Sequence, residues 1–121
     1  MTTWITICDT CKRSDVGVDG TDGERLAALI ETAAEGRVKT RRFGCLMGCA
    51  RACNVVVQGA GKISYTLSEF VPEKGDAEAI VDYAILHQES PTGQVPYRSW
   101  PEGVKGHFAA RHLPLPDDSE R

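Results

Sequence analysis

Apolar and polar residues along the chain divide it into short blocks with different periods. Thr3-Trp4-Ile5-Thr6-Ile7 is rich in β-branched and aromatic residues and reads as a first strand that ends at Cys8. Lys12 to Gly23 is rich in glycine, serine and aspartate and reads as a loop. Asp22 or Thr21 can cap the next element, because a short oxygen-bearing side chain accepts from the N–H groups at a helix start. Glu24 to Glu35 then places Leu26, Leu29, Ile30 and Ala33 at helical spacing, with Gly36 as its stop. Val38 to Phe43 alternates and predicts a second strand, ending just before Cys45. Asn54 to Val57 predicts a third. Gly59-Ala60-Gly61 is a tight-turn signal, so Lys62 to Leu67 returns as the second arm of a hairpin. Asp76 to His87 places Ala79, Ile80, Tyr83 and Leu86 on one helical face.

The order is therefore β-α-β, then β-β-α. A β-α-β unit takes a right-handed crossover and pairs its strands in parallel, whereas the hairpin adds antiparallel strands. The fold class this predicts is α/β: a four-stranded mixed sheet with helices, the thioredoxin-like layout, over residues 1–88. From Glu89 the pattern changes. Five of the six prolines lie beyond that point and the periodicity is lost. Residues 89–121 read as an extended tail that wraps the domain, with an acidic end near Asp117 to Arg121. Tyr97, Trp100 and Phe108 within it should be packed or meet a partner.

Composition narrows the function classes. A chain of 121 residues with 41% hydrophobic and 26% charged residues is an ordinary single globular domain. A net charge of −3 argues against wholesale nucleic-acid binding, since phosphate contacts need a basic surface. No run approaches the roughly 18 apolar residues of a membrane span. The N-terminus lacks a basic stretch followed by an apolar one, so a cytoplasmic location is expected. In that compartment thiols stay reduced, and grouped cysteines are more often metal-binding or catalytic than disulfide-forming.

The five cysteines form two groups. Cys8 and Cys11 follow the first predicted strand; Cys45, Cys49 and Cys53 recur at every fourth residue after the second. If the two strands are parallel neighbours, both groups emerge at one edge of the sheet, where open α/β sheets place their sites. Soft thiolates select zinc, copper(I) or iron–sulfur clusters, and iron–sulfur clusters commonly take four cysteines. Core packing alone seldom yields five thiols in two turn-like groups.

Cys45-Leu46-Met47-Gly48-Cys49, followed by Asn54-Val55-Val56-Val57, resembles the thioredoxin-like [2Fe–2S] ferredoxins. Cys8-Asp9-Thr10-Cys11 and Ala110-Arg111 resemble more closely an uncharacterised family described as predicted metal-binding proteins and associated with cobalt and cobalamin metabolism. The resemblance implies a [2Fe–2S] cluster with Cys8 and Cys11 on one iron and Cys45 and Cys49 on the other. It implies a one-electron carrier rather than an enzyme, with redox proteins as partners and a homodimeric state. Cys53 stands where the ferredoxins carry a proline. It is either an extra thiol beside the cluster or a ligand in place of Cys11.

Two other chemistries fit the same residues. A tetrahedral zinc held by four thiolates tolerates these spacings and would make the protein an interaction module. A Cys-x-x-Cys after the first strand of this layout is also where thiol–disulfide oxidoreductases carry their active site. Those enzymes normally open a helix at the first cysteine, which lowers its pKa, whereas here a polar loop follows Cys11. His87, His107 and His112 read as surface residues rather than ligands. Lys12, Arg13, Arg41, Arg42 and Arg51 make the cysteine segments basic in an otherwise acidic chain. A [2Fe–2S] cluster with four thiolates carries about −2 oxidised and about −3 reduced, so these cations are expected to raise its potential and to attract an acidic partner.

Overall fold

In a computed structural model of the protein, the residues described here are 2–8, 22–44 and 53–114. Their elements run β1 (Thr3–Cys8), α1 (Asp22–Ala34), β2 (Lys39–Phe43), β3 (Val55–Gly59), β4 (Ser64–Leu67), α2 (Lys74–Glu89) and β5 (Phe108–His112). Two short 3-10 turns, Tyr97–Ser99 and Glu102–Val104, lie between α2 and β5. The strands form one sheet in the order β2-β1-β3-β4-β5. β1 and β2 are parallel, with Trp4 opposite Lys39 and Cys8 opposite Phe43. The other pairings are antiparallel. This is the mixed α/β arrangement that the hydrophobic pattern predicts, with one strand more.

The fifth strand corrects the reading of the tail as merely extended. Phe108-Ala109-Ala110-Arg111-His112 pairs with β4, with a register shift between Thr66 and Leu67 that leaves Ala109 as the extra residue of a bulge. Four of these five residues are exposed, so the segment carries little of the alternating pattern that marks a half-buried strand. What holds it is aromatic packing. Phe108 stacks on Trp100, with ring centroids 4.4 Å apart, and meets Tyr65 and Tyr83 edge-on. The Trp100 indole N–H donates to the Val95 carbonyl at 2.8 Å, which fixes the ring that Phe108 covers.

The sheet has two unlike faces. Ile5, Ile7, Val55, Val57, Tyr65 and Leu67 share one of them by register and are all buried. Both helices pack on that face and against each other. α1 contributes Leu26, Ala27, Ile30 and Ala34, and Glu35 and Gly36 end it, both left-handed at φ +49° and +78°. α2 is buried over a wider arc than its predicted stripe. Ala77, Val81, Ala84 and His87 join Ala79, Ile80 and Tyr83, because α1 packs against the helix on its Val81 side and the tail covers its Ala79 and Tyr83 side, with Val104 fully buried. Among the described residues no helix packs on the opposite face, which holds Trp4, Thr6, Arg41, Val56 and Thr66.

His87 is a further correction. It is not on the surface but fully buried. Its Nε2–H donates to the Ile63 carbonyl at 2.7 Å, and its Nδ1 lies 2.8 Å from the Thr3 hydroxyl. Beside it, Lys62 is buried along its length and its ammonium donates to the carbonyls of His87 and Gln88 at 2.9 and 2.7 Å. The lysine thus caps the C-terminus of α2, where main-chain carbonyls lack helical partners and a cation suits the dipole.

Candidate metal centre

The parallel pairing of β1 and β2 settles where the two cysteine groups leave the sheet. Cys8 is the last residue of β1 and lies opposite Phe43, the last residue of β2. Cys45 follows Phe43 by two positions in sequence. The chain thus leaves β1 and β2 at the same end of neighbouring strands. Antiparallel pairing would have put the two exits at opposite ends.

Cys53 arrives at that rim from the other side. It immediately precedes Asn54 and β3, whose antiparallel register returns the chain alongside β1. The Cys8 N–H donates to the Asn54 carbonyl at 3.1 Å. Cys53 exchanges main-chain hydrogen bonds with Phe70, at 3.4 Å from its N–H and 3.5 Å to its carbonyl. Both cysteines are fully buried. Cys11, Cys45 and Cys49 lie outside the described residues, as do the Lys12 to Gly23 loop up to residue 21 and Arg51. Among the described residues no three side chains of the His, Cys, Asp or Glu type converge.

One residue near this rim was not singled out as such by its sequence. The His107 ring stacks on Phe70, with centroids 4.3 Å apart and planes 7° from parallel. Its Nδ1–H donates to the Ser68 carbonyl at 2.8 Å, and the Ser68 N–H donates back to the His107 carbonyl at 2.8 Å. The imidazole thus lies behind the Phe70 that pairs with Cys53. No spacing along the chain announces this, since 37 residues separate Phe70 from His107. His112, by contrast, is exposed on β5 with Nε2 3.2 Å from the Thr66 hydroxyl.

The basic residues do not act as one group. β2 alternates its side chains, so Arg41 and Arg42 point to opposite faces. Arg42 lies on the helical face in a two-pronged ion pair with Glu31, at 2.9 Å from Nε and 2.8 Å from the second nitrogen. This guanidinium lowers the Glu31 carboxyl's pKa, chiefly through the hydrogen bond. Arg41 lies on the strand-only face. Its Nε donates to the Thr6 hydroxyl at 2.7 Å and a terminal nitrogen to the Gln58 side-chain carbonyl at 3.1 Å. Arg42 therefore has its charge compensated locally, and Arg41 is held by neutral acceptors.

The donor set fits a soft metal. Thiolates on a dry rim are ligands for zinc or for iron–sulfur clusters and poor ligands for hard cations. Cys8 and Cys53 bring two such donors to one end of the sheet, and the chain that follows each strand supplies the others in sequence.

Comparison with known proteins agrees with the fold. A thioredoxin-like [2Fe–2S] ferredoxin from Aquifex aeolicus superposes over 93% of this chain and 94% of its own, with a TM-score of 0.50 and 16% sequence identity. At that identity the likeness is one of fold. No curated protein matches the sequence. No helix among the described residues is long and apolar enough to cross a membrane. Residues 5–114 match one family's model, and the chain belongs to that family, described as Protein of unknown function (DUF1636).

Proposed function

We propose that the protein binds one [2Fe–2S] cluster through Cys8, Cys11, Cys45 and Cys49 and serves as a one-electron carrier. The observation that supports this most directly is the parallel register that sets Cys8 opposite Phe43, two residues before Cys45. A cluster, when bound, supplies the reversible one-electron couple. The chain supplies the thiolates, a buried rim that limits water, and the surrounding charge that tunes the couple. The solved ferredoxin of the same fold adds support at the level of fold. The reading includes a homodimer, for which sedimentation velocity is the test. A reductive step in cobalt or cobalamin metabolism is one setting for such a carrier.

The test is purification without air. The expected material is brown and contains about two irons and two acid-labile sulfides per chain, with visible absorption bleached by dithionite. A colourless protein with one firmly held zinc would replace this reading by a structural zinc site. A colourless, metal-free protein that reduces disulfides would replace it by a thiol–disulfide oxidoreductase.

A further inference from the structure

The formal charge of −3 hides a two-sided distribution. None of the five strands contains an aspartate or glutamate. The helices carry Glu24, Glu31, Asp76, Glu78, Asp82 and Glu89. The strand-only face bears Lys39, Arg41 and His112 as its basic side chains among the described residues, with the buried Cys8 thiol at its end. Among the described residues, acidic side chains thus gather on the helices, and the strand-only face is basic.

The basic face also has an apolar centre. Trp4 is 37% exposed and Phe43 60% exposed. The Lys39 ammonium stands 5.8 Å and the Arg41 guanidinium 5.7 Å from the Trp4 ring centroid, within reach of cation–π attraction. Arg41 is fixed by Thr6 and Gln58, so little rotamer entropy remains to be lost when its other N–H groups meet a ligand. Unlike Arg42 and Lys105, which pair with Glu31 and Glu102, neither Arg41 nor Lys39 meets a carboxylate among the described residues. Aromatic residues and arginine ringed by charge are the composition of an interface core. The face ends at Phe43, opposite Cys8, at the candidate metal centre.

We propose that this bare sheet face is the docking surface for an acidic redox protein, with Trp4 and Arg41 at its centre and Lys39 and Phe43 beside them. This rests on the electron-carrier reading, because it places the partner beside the rim that would hold the cluster. Charge complementarity selects the occupant. A second copy placed face to face would bring Lys39 and Arg41 against their own kind, and like charges across an interface are unfavourable. An extended nucleic acid would meet the acidic helical side as it passed beyond the small basic patch.

The experiment follows the two tryptophan indoles of the full chain by NMR during titration with a flavodoxin, an acidic flavoprotein. Trp100 packs with the tail aromatics on the helical side and serves as the internal control. Flavodoxin should shift the Trp4 indole and the Lys39–Phe43 amides and spare Trp100. Raising NaCl from about 20 to about 200 mM should weaken binding about tenfold or more, because exposed charge pairs are screened. Lys39→Gln with Arg41→Gln should weaken binding about tenfold at low salt, and Lys74→Gln on the helical side less than about twofold. Basic cytochrome c should leave Trp4 unmoved.

The proposal is overturned if flavodoxin spares Trp4 or if the double variant binds as the parent does. It is equally overturned if duplex DNA shifts Trp4 at lower concentration than flavodoxin. It also fails if the Trp4 shift follows the protein's own concentration, which would assign the face to a second copy. No electron is transferred in this readout, so it stands or falls separately from the iron and sulfide assay.

Discussion

The Cys8 amide donates to the Asn54 carbonyl at 3.1 Å, so the residue after Cys53 is locked to the first candidate ligand through main chain alone. Side-chain replacement at either cysteine leaves that hydrogen bond in place. Cysteine-to-serine variants therefore report ligation rather than loss of the strand pairing.

The first prediction uses this. Cys8→Ser, Cys11→Ser, Cys45→Ser and Cys49→Ser should each lower iron and sulfide to background, because a hydroxyl is a poor ligand for a site that selects soft donors. Cys53→Ser should keep both and should change the folded content little, as measured by the amplitude of far-ultraviolet circular dichroism. A cluster kept by Cys11→Ser and lost by Cys53→Ser would move the fourth ligand to Cys53.

The second prediction separates two arginines that sequence places side by side. Arg42 is compensated by Glu31, so Arg42→Gln combined with Glu31→Gln should leave the midpoint potential unchanged within measurement error. Arg41→Gln removes a cation whose acceptors among the described residues are neutral and should lower the potential. The expected size is on the order of 20 mV at low salt, as for a surface charge acting through a high effective dielectric, and smaller at high salt. Protein-film voltammetry of the three variants decides this. The Arg42–Glu31 pair is exposed, so its loss should cost no more than about 1 kcal/mol of stability.

These two arginines also show what was legible in the sequence. Alternation in Val38 to Phe43 predicts the strand, and its period implies that Arg41 and Arg42 diverge. It cannot say which face holds a helix or that Glu31, eleven residues earlier, waits there. The β1 to α2 framework was readable because each element carries a local period. β5 was not, because its stability comes from Phe108 and Trp100 meeting in space rather than from alternation. His87 misled for the same reason. Its position at a helix end matches a solvated cation, and contacts distant in sequence, with Thr3, Ile63, Tyr65 and Gly93, bury it. At the candidate centre the pattern predicts the parallel pairing that sets Cys8 opposite Phe43, whereas Cys11, Cys45 and Cys49 lie outside the described residues. The Phe70–His107 stack behind Cys53 depends on a distant loop that no motif marks.

The third prediction concerns pH. Burial lowers the His87 pKa from its ordinary 6.5, with the Lys62 charge adding to the effect and the Ile63 hydrogen bond opposing it. The folded protein therefore binds fewer protons at this site than the unfolded chain over the interval just below pH 6.5. Stability is full above that value and falls as pH drops through the interval toward the folded-state pKa. Denaturant midpoints between pH 7.5 and 5 should decline in the parent and flatten in His87→Gln. That variant should lose about 1–3 kcal/mol at neutral pH, because the Thr3 hydroxyl and Ile63 carbonyl are left with poorer partners. An equal slope in both proteins would assign the pH dependence elsewhere.

The fourth prediction tests the same network from its rim. Gly93 adopts φ +86°, and a Cβ there would stand 2.8 Å from both the His87 Nε2 and the Ile63 oxygen. Those two atoms already bond each other at 2.7 Å, so neither can retreat without breaking that contact. Gly93→Ala combines a left-handed backbone penalty of roughly 1–2 kcal/mol with overpacking of roughly 1–3 kcal/mol. Gly61 has a similar φ of +74°, but nothing lies within 4 Å of its Cβ position, so Gly61→Ala carries only the backbone penalty. Urea unfolding should therefore rank the parent above Gly61→Ala, and Gly61→Ala above Gly93→Ala. The Gly93 variant should also show the flattened pH profile of His87→Gln, since both disturb the imidazole. Equal losses at the two glycines would mean that the backbone conformation alone matters and that the His87–Ile63 contact does not resist the added methyl.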